Sequence, residues 1–497
     1  MRVLLVPEVY RRDDLSANGT VTDAVAWVGD WLERDPSLHV YWLLPPRETA
    51  DYATADVRAD RERVTLLEAE PYGADLEPTA MFTEDGYGEA ELRAVERGIR
   101  EPGAYVDAVV DGRRAGRRTL VKWLLRGVDQ WAARVRPFDV IANVHDLQVP
   151  RKYRYCVYRN AYQGRLALCE AAFADGIWFT APVDARAFRE RADEVLADDV
   201  AEAALDRSRE IGSPLPFDRF DESYADRPQW LHVAGSLWEK KHADAVLEVA
   251  ATLRERFGVR TLLTSVEDVP VEYERLQWVE AHSNADRETY ERALERGDLA
   301  ICASEYETLA RTWFEQAASG QVLLLRDEPW VYDCVPEDHP LTAPLEDLGN
   351  LAVAVVEDWE EAIAANRDLV AHVERVRSPE RVGERTYDDL RHRVENKKRR
   401  YALEGGTAAV LNGDGGADAG DVASTVAAAL EGLETDRIGL DTVLERTATV
   451  AANDPSIDDD SIADVDVIYA LRALGWRDSG DPGTPTFERV GDRRDHR

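Results

Sequence analysis

Apolar runs of four to seven residues punctuate the first 350 residues, and stretches with helical spacing lie between them. Residues 3–6, 38–44, 63–67, 138–143 and 176–180 read as buried strands. Helices are predicted over 21–32, 117–135 and 162–174, and another starts at 184–191. In the second of these, Leu120, Trp123, Leu124 and Trp131 fall mostly on one face. Ser16-Ala17-Asn18-Gly19-Thr20 supplies a turn and an N-cap ahead of the first helix. Past a proline-bearing linker the alternation resumes, with strands at 231–234, 260–264, 276–280, 299–302 and 322–325 and a helix from about 242 to 257. This order predicts an α/β protein of two Rossmann-like, doubly wound domains.

The remainder reads differently. Residues 351–400 are charged and helical, with Trp359, Leu369, Val373 and Val376 as an apolar stripe. Residues 404–420 are rich in Gly, Ala and Asp, the composition of a flexible linker. Residues 421–497 give helix (421–433), helix (439–450), helix (461–474), strand (475–478), turn, and strand (484–490). That order resembles a winged helix, a small α+β module. The expected division is therefore 1–220, 221–400, a linker at 401–420, and 421–497. No solenoid-type repeat is visible.

Charge changes the picture in one respect. The 497 residues carry a formal net charge of −36, with Asp and Glu at 97 against 61 Lys and Arg. Such a bias fits a protein soluble in a high-salt cytoplasm, a halophile-like setting where self-repulsion is screened. It opposes tight non-specific binding to nucleic acid. The last module shares it, with 20 Asp/Glu against 8 Arg over 401–497. The basic run Lys397-Lys398-Arg399-Arg400 reads as helix-end charge or as a contact for nucleic acid or membrane. The four cysteines (156, 169, 302 and 334) have no metal-ligand spacing and read as reduced thiols of a cytoplasmic protein. No apolar run is long enough to span a membrane, and residues 1–6 enter a strand at once, unlike a signal peptide.

Candidate chemistry concentrates in 297–326. A strand ends in Ser304-Glu305-Tyr306-Glu307, a helix-like run carries Glu315 eight residues on, and a second strand follows Gly320. On one continuous helix the two carboxylates would be separated by about 12 Å of rise, enough to touch different parts of one elongated ligand. Two solvated glutamates on a surface helix would give the same spacing. Upstream, the strand over 231–234 runs into Gly235-Ser236-Leu237-Trp238-Glu239-Lys240-Lys241. The chain has only six lysines, and two of them stand here. Cations are unfavourable at a helix start, which favours an anionic phosphate partner over a solvated pair.

These residues resemble the retaining GT-B glycosyltransferases of the group-1 or family-4 kind, whose signature reads about P-S-x-x-E-G-F-G-x-x-x-x-E-A-x-A-x-G-x-P-V. Ser304, Glu307, Glu315, Ala317 and Gly320 fall at comparable places. Thr308-Leu309-Ala310 replaces the glycine-rich turn. The family's G-R-L-x-x-E-K-G aligns with Gly235, Leu237 and Lys241, with Ser236 in place of the Arg and His242 in place of the closing Gly. The segment 211–220 resembles the hinge N-G-V-D-x-x-x-F. His145, after the strand over 140–144, stands where the family places a histidine facing donor sugar or acceptor.

The resemblance implies a glycosyltransferase taking a nucleotide-sugar as substrate, with no cofactor and no metal. Glu307 and His145 would be its catalytic residues. Gly235, Lys240, Lys241, Thr308, Leu309, Arg311 and Glu315 would bind the donor, with Glu315 on the ribose and the lysines on the diphosphate. Gly19 and Asp146 would belong to the acceptor-side loop, the acceptor being a glycan, lipid-linked sugar, small molecule or modified nucleic acid. Two other readings stay open: an inactive nucleotide- or sugar-binding protein, and a regulatory or nucleic-acid-associated protein acting through 421–497, which also offers a surface for oligomerisation.

Overall fold

The computed structural model describes residues 1–7, 19–44, 62–68, 93–100, 106–112, 138–144, 168, 174–192, 196–235, 241–305, 307, 310–403, 419–433, 435, 437–453, 467–468, 470–471, 474, 476–478 and 486–489. Two parallel sheets dominate it. The first holds β1 (Arg2–Val6), β2 (His39–Leu44), β3 (Val64–Glu68), β4 (Ala108–Asp111), β5 (Phe138–Val144), β6 (Gly176–Phe179) and β7 (Ser208–Glu210). Their order is β3-β2-β1-β4-β5-β6-β7. β1 lies between β2 and β4, parallel to both. Val3, Leu4, Leu5 and Val6 are all buried, as a central parallel strand covered on both faces requires. Helices α1 (Gly19–Arg34), α2 (Pro182–Ala192) and α3 (Asp198–Asp206) belong to this domain.

The second sheet holds β8 (Trp230–Ala234), β9 (Arg260–Thr264), β10 (Val279–His282), β11 (Leu299–Cys302), β12 (Val322–Arg326) and β13 (Thr342–Ala343), in the order β10-β9-β8-β11-β12-β13. Its longer helices are α4 (Ala243–Phe257), α5 (Arg287–Arg296) and α6 (Arg311–Ala318). The two doubly wound domains expected from the sequence are present.

Three helices close the structure: α7 (Leu348–Glu357), α8 (Trp359–Arg377) and α9 (Pro379–Leu403). α9 crosses back to the first domain and packs on α1, its Val382, Leu390 and Val394 joining the core that holds Trp27, Trp31 and Trp178. Trp31 Nε1–H donates to Thr386 Oγ1 at 3.0 Å and Trp178 Nε1–H to Asp389 at 2.7 Å, so these two buried indoles keep hydrogen-bond partners, whereas the Trp27 indole N–H has none among the described residues. Gly383 permits the approach, because a Cβ there would lie 2.5 Å from the Cβ of Asp30 on α1. Three residues of the basic run make internal pairs: Lys397 with Asp175 and Lys398 with Asp107, each at 2.6 Å, and Arg399 with Asp441 at 3.4 Å.

The last module has its own core around Val426, Leu440, Ile468, Leu471 and Phe487. It contains α10 (Ala419–Leu430), β14 (Arg437–Gly439), α11 (Leu440–Ala452), β15 (Trp476–Asp478) and β16 (Thr486–Arg489). Its antiparallel sheet runs β14-β16-β15.

Several expectations shift. β4, β7, β13 and β14 have no counterpart among the predicted strands, β10 starts three residues later than expected, and Gly19 opens α1 rather than preceding it. The predicted helix over 117–135 and nearly all of 162–174 lie outside the described residues. Among the described residues no helix is long and apolar enough to cross a membrane.

Candidate functional site

Each parallel sheet reverses its strand order once, between β1 and β4 and between β8 and β11. Ligands of open parallel sheets bind outside the carboxyl ends of the strands at such a point. In the second domain that crevice is flanked by Gly235, which directly follows β8, and by Ala303, Ser304, Glu307 and Ala310 after β11.

Backbone shape builds the first part of the corner. Gly235 has φ +97° and its N–H donates to Thr264 O at 2.9 Å. A Cβ there would stand 3.1 Å from Lys241 Nζ, so the glycine makes room for the lysine. His242 (φ 48°) caps α4 and Ala310 (φ 49°) caps α6, both in the left-handed region. These are two of the positions where the family pattern has glycine. The chain keeps the turn without the residue that adopts it most easily.

Side chains complete the corner. Lys241 Nζ lies 3.6 Å from Glu307 Oε1 and 5.2 Å from the centroid of the Trp313 ring. The Ser304 hydroxyl donates to the same Glu307 oxygen at 2.8 Å. The Lys241–Glu307 contact is an ion pair longer than a hydrogen bond, and an ammonium has three donors to offer an anion. Cys302, beneath, is inert: burial and then the Glu307 charge push its thiol up to about 12.

Glu315 sits elsewhere on α6. The helix begins at Arg311, so Glu307 lies in the turn before it and the two carboxylates are not two points of one helix, contrary to the expected helical rise. Glu315 is 5% exposed, with Arg287 Nη1 3.5 Å from Oε2 and Arg311 Nη2 3.7 Å from Oε1. Tyr290 packs there too, its hydroxyl held well above the usual range by burial and by the Glu315 charge. Positions 313 and 315 are about 200° apart around a helix, so a ligand meeting both Lys241 and Glu315 must lie across the entrance of α6.

Arg311 reaches the first domain. Its Nη1 donates to Asp23 Oδ1 of α1 and to Pro214 O of the hinge segment, both at 2.7 Å. Asp23 is fully buried and also accepts from Ser213 Oγ–H at 2.8 Å. Burial pushes its carboxyl up to about 6, against the pull of Arg311 and Ser213. Arg377 Nε donates to Ser213 O at 2.8 Å, and Gly212 turns the hinge at φ +82°. A cleft of about 270 Å³ opens between Val25, Ala26 and Gly29 of α1, Pro214 and Pro216 of the hinge, and Arg311. It is not lined by Lys241 or Glu307.

Thus Gly235, Lys241 and Glu307 come together, Arg311 and Glu315 form a second group on the same helix, and Gly19 stands at the start of α1. Lys240, Thr308, Leu309, His145 and Asp146 lie outside the described residues. Asp23, Arg287, Tyr290 and Trp313 were not anticipated from sequence. Among the described residues no three His, Cys, Asp or Glu side chains gather as metal ligands would.

No protein family and no curated protein matches the sequence. Solved structures do match. HepE of Anabaena, in complex with UDP and glucose, superposes with a TM-score of 0.54 at 12% identity, covering 79% of this chain and 100% of its own. Sucrose-phosphate synthase of Thermosynechococcus elongatus gives 0.57 at 15% identity, covering 79% and 98%. The N-terminal domain of Candida albicans trehalose-6-phosphate phosphatase gives 0.52 at 11% identity, covering 79% and 97%. With its two parallel sheets and its returning terminal helix, the chain has the GT-B glycosyltransferase fold.

Proposed function

We propose that the protein is a glycosyltransferase that moves a sugar from a nucleoside-diphosphate donor to an acceptor hydroxyl. The observation that carries this reading is the corner at the β8/β11 switch point, where Lys241 and Glu307 meet beneath three left-handed backbone positions. The complexes of HepE with UDP and glucose, and with UDP-glucose, support a donor of that class on this fold.

In this reading the diphosphate lies at the entrance of α6, where the helix dipole and Lys241 stabilise the charge that develops as the bond from the anomeric carbon to the diphosphate breaks. Lys241 provides a positive charge without an ion, the basis for proposing a metal-independent reaction with no cofactor. Glu307 contacts donor-sugar hydroxyls and Glu315 the ribose. The acceptor oxygen bonds to the anomeric carbon and passes its proton to the departing diphosphate, with retention as the family resemblance implies. The acidic surface fits work in concentrated salt in the cytoplasm.

A panel of nucleotide-sugars led by UDP-glucose tests the proposal by binding and hydrolysis in molar salt. Lys241→Ala and Glu315→Ala are each expected to weaken donor binding by about 10²-fold, the effect of deleting one partner of a charged contact. Binding equal to that of the unaltered chain in both variants would refute the assignment.

A further inference from the structure

One chain of charges crosses the domain boundary: Asp23 on α1, Arg311 and Glu315 on α6, and Arg287 on α5. Arg311 holds its middle, with one guanidinium nitrogen on Asp23 and the hinge carbonyl of Pro214 and the other 3.7 Å from Glu315. Only 12% of the Arg311 side chain and none of that of Asp23 is exposed. Asp23 Oδ2 has no hydrogen-bond partner among the described residues.

For stability alone this is a poor arrangement, because a buried ion pair with an orphaned oxygen is outdone by apolar residues of the same volume. The geometry gives it another use. Arg311 takes its position from both domains at once, and it lies 3.7 Å from the carboxylate assigned to the donor ribose.

We infer that Asp23 and Arg311 are positioning residues that set the donor-ready orientation of Glu315 only when the first domain is seated against the second. The inference rests on the donor reading of Glu315. With Asp23 ionised, Arg311 is pulled toward α1 and Glu315 keeps a fixed place between Arg311 and Arg287. With Asp23 protonated, that pull weakens and Arg311 is left to Pro214 O and Glu315. The groups facing Asp23 are Arg311 from α6, Ser213 from the hinge and Arg377 from α8. Burial brings its titration to about pH 6, within reach of a binding experiment.

The test is calorimetric titration of the full chain with UDP-glucose in molar salt at pH 7.5 and 5.0. The probe's phosphates are diesterified and do not titrate in this window. Unaltered protein is expected to bind roughly tenfold more weakly at pH 5.0, a coupling typical of linked sites. Asp23→Asn is expected to bind at pH 7.5 as weakly as the unaltered chain does at pH 5.0, with the step between the two pH values removed. Arg311→Lys, which keeps charge but loses the forked geometry, is expected to reduce the step. A merely structural role would shift melting temperature without flattening the pH profile. If Asp23→Asn retains both the affinity and the step, the positioning role fails and the donor site stands. If Asp23→Asn does not fold, an undiminished step in Arg311→Lys overturns the inference. Absence of binding by the unaltered chain at either pH removes the inference together with the donor reading.

Discussion

Ala310 and His242 hold backbone conformations that L-residues adopt at a cost of roughly 1–3 kcal/mol each. The strain sits at the two helix entrances that frame the candidate site. Ala310→Gly is predicted to leave the unfolding free energy unchanged or raised, since relief of strain and a better N-cap offset the lost methyl. Ala310→Val should lower it by roughly 2 kcal/mol or more, because a β-branched residue fits the left-handed region worst. Denaturant melts of both variants check the opposite signs. Asp23 yields a second prediction. Its carboxyl titrates near 6 when folded against an ordinary 3.8, so the folded chain holds the extra proton between those values. Its stabilising contribution is therefore full below about pH 3.8 and is lost as pH rises through about 6. The stability of the unaltered chain minus that of Asp23→Asn should fall by up to about 3 kcal/mol between pH 4 and 7. A flat difference would contradict the burial argument. Lys241 was legible in sequence because lysine is rare in this chain and two stand at a helix start. Asp23 was not: an acid near the start of the helix predicted over 21–32 is explained equally well by the helix dipole, and its partner lies 288 residues away.

Elements with strong patterns were legible and short ones were not. The central strands β1, β8, β11 and β12 are buried and mostly apolar, His232 of β8 excepted, and lie where the sequence puts them. β7 is Ser208–Glu210, three polar residues at a sheet edge, and β13 has two residues; neither carries a periodicity to detect. The helix-like run that carries Glu315 begins at Arg311, with left-handed Ala310 as its N-cap. The apolar stripe of 351–400 was visible, and its Trp359, Leu369 and Val373 join cores built around β11 and β12; the seat of α9 on α1 is a separate contact, through Val382, Leu390 and Val394, between residues hundreds of positions apart. Gly383 is where that docking is most exposed to test. Gly383→Ala places a methyl against Asp30 and should destabilise the chain by about 1–3 kcal/mol, the range for overpacking a tight contact. Unaltered stability would show that α9 is not closely seated.

Across the whole molecule, two α/β domains are joined twice, by the hinge before β8 and by the return of α9. The cross-domain Asp23–Arg311 pair adds a polar contact beside the hinge. Arg311, at the entrance of α6, reaches the first domain, so a donor bound as proposed at that entrance would lie beside the boundary. The central claim is the location of the donor site. Hydrogen–deuterium exchange of the full chain in molar salt, with and without saturating UDP-glucose, tests it most directly. Slowed exchange is expected at the amides of 241–245 and 310–316, the entrances of α4 and α6. Slowed exchange only in other segments, such as 419–452 of the last module, or no change anywhere, would contradict it.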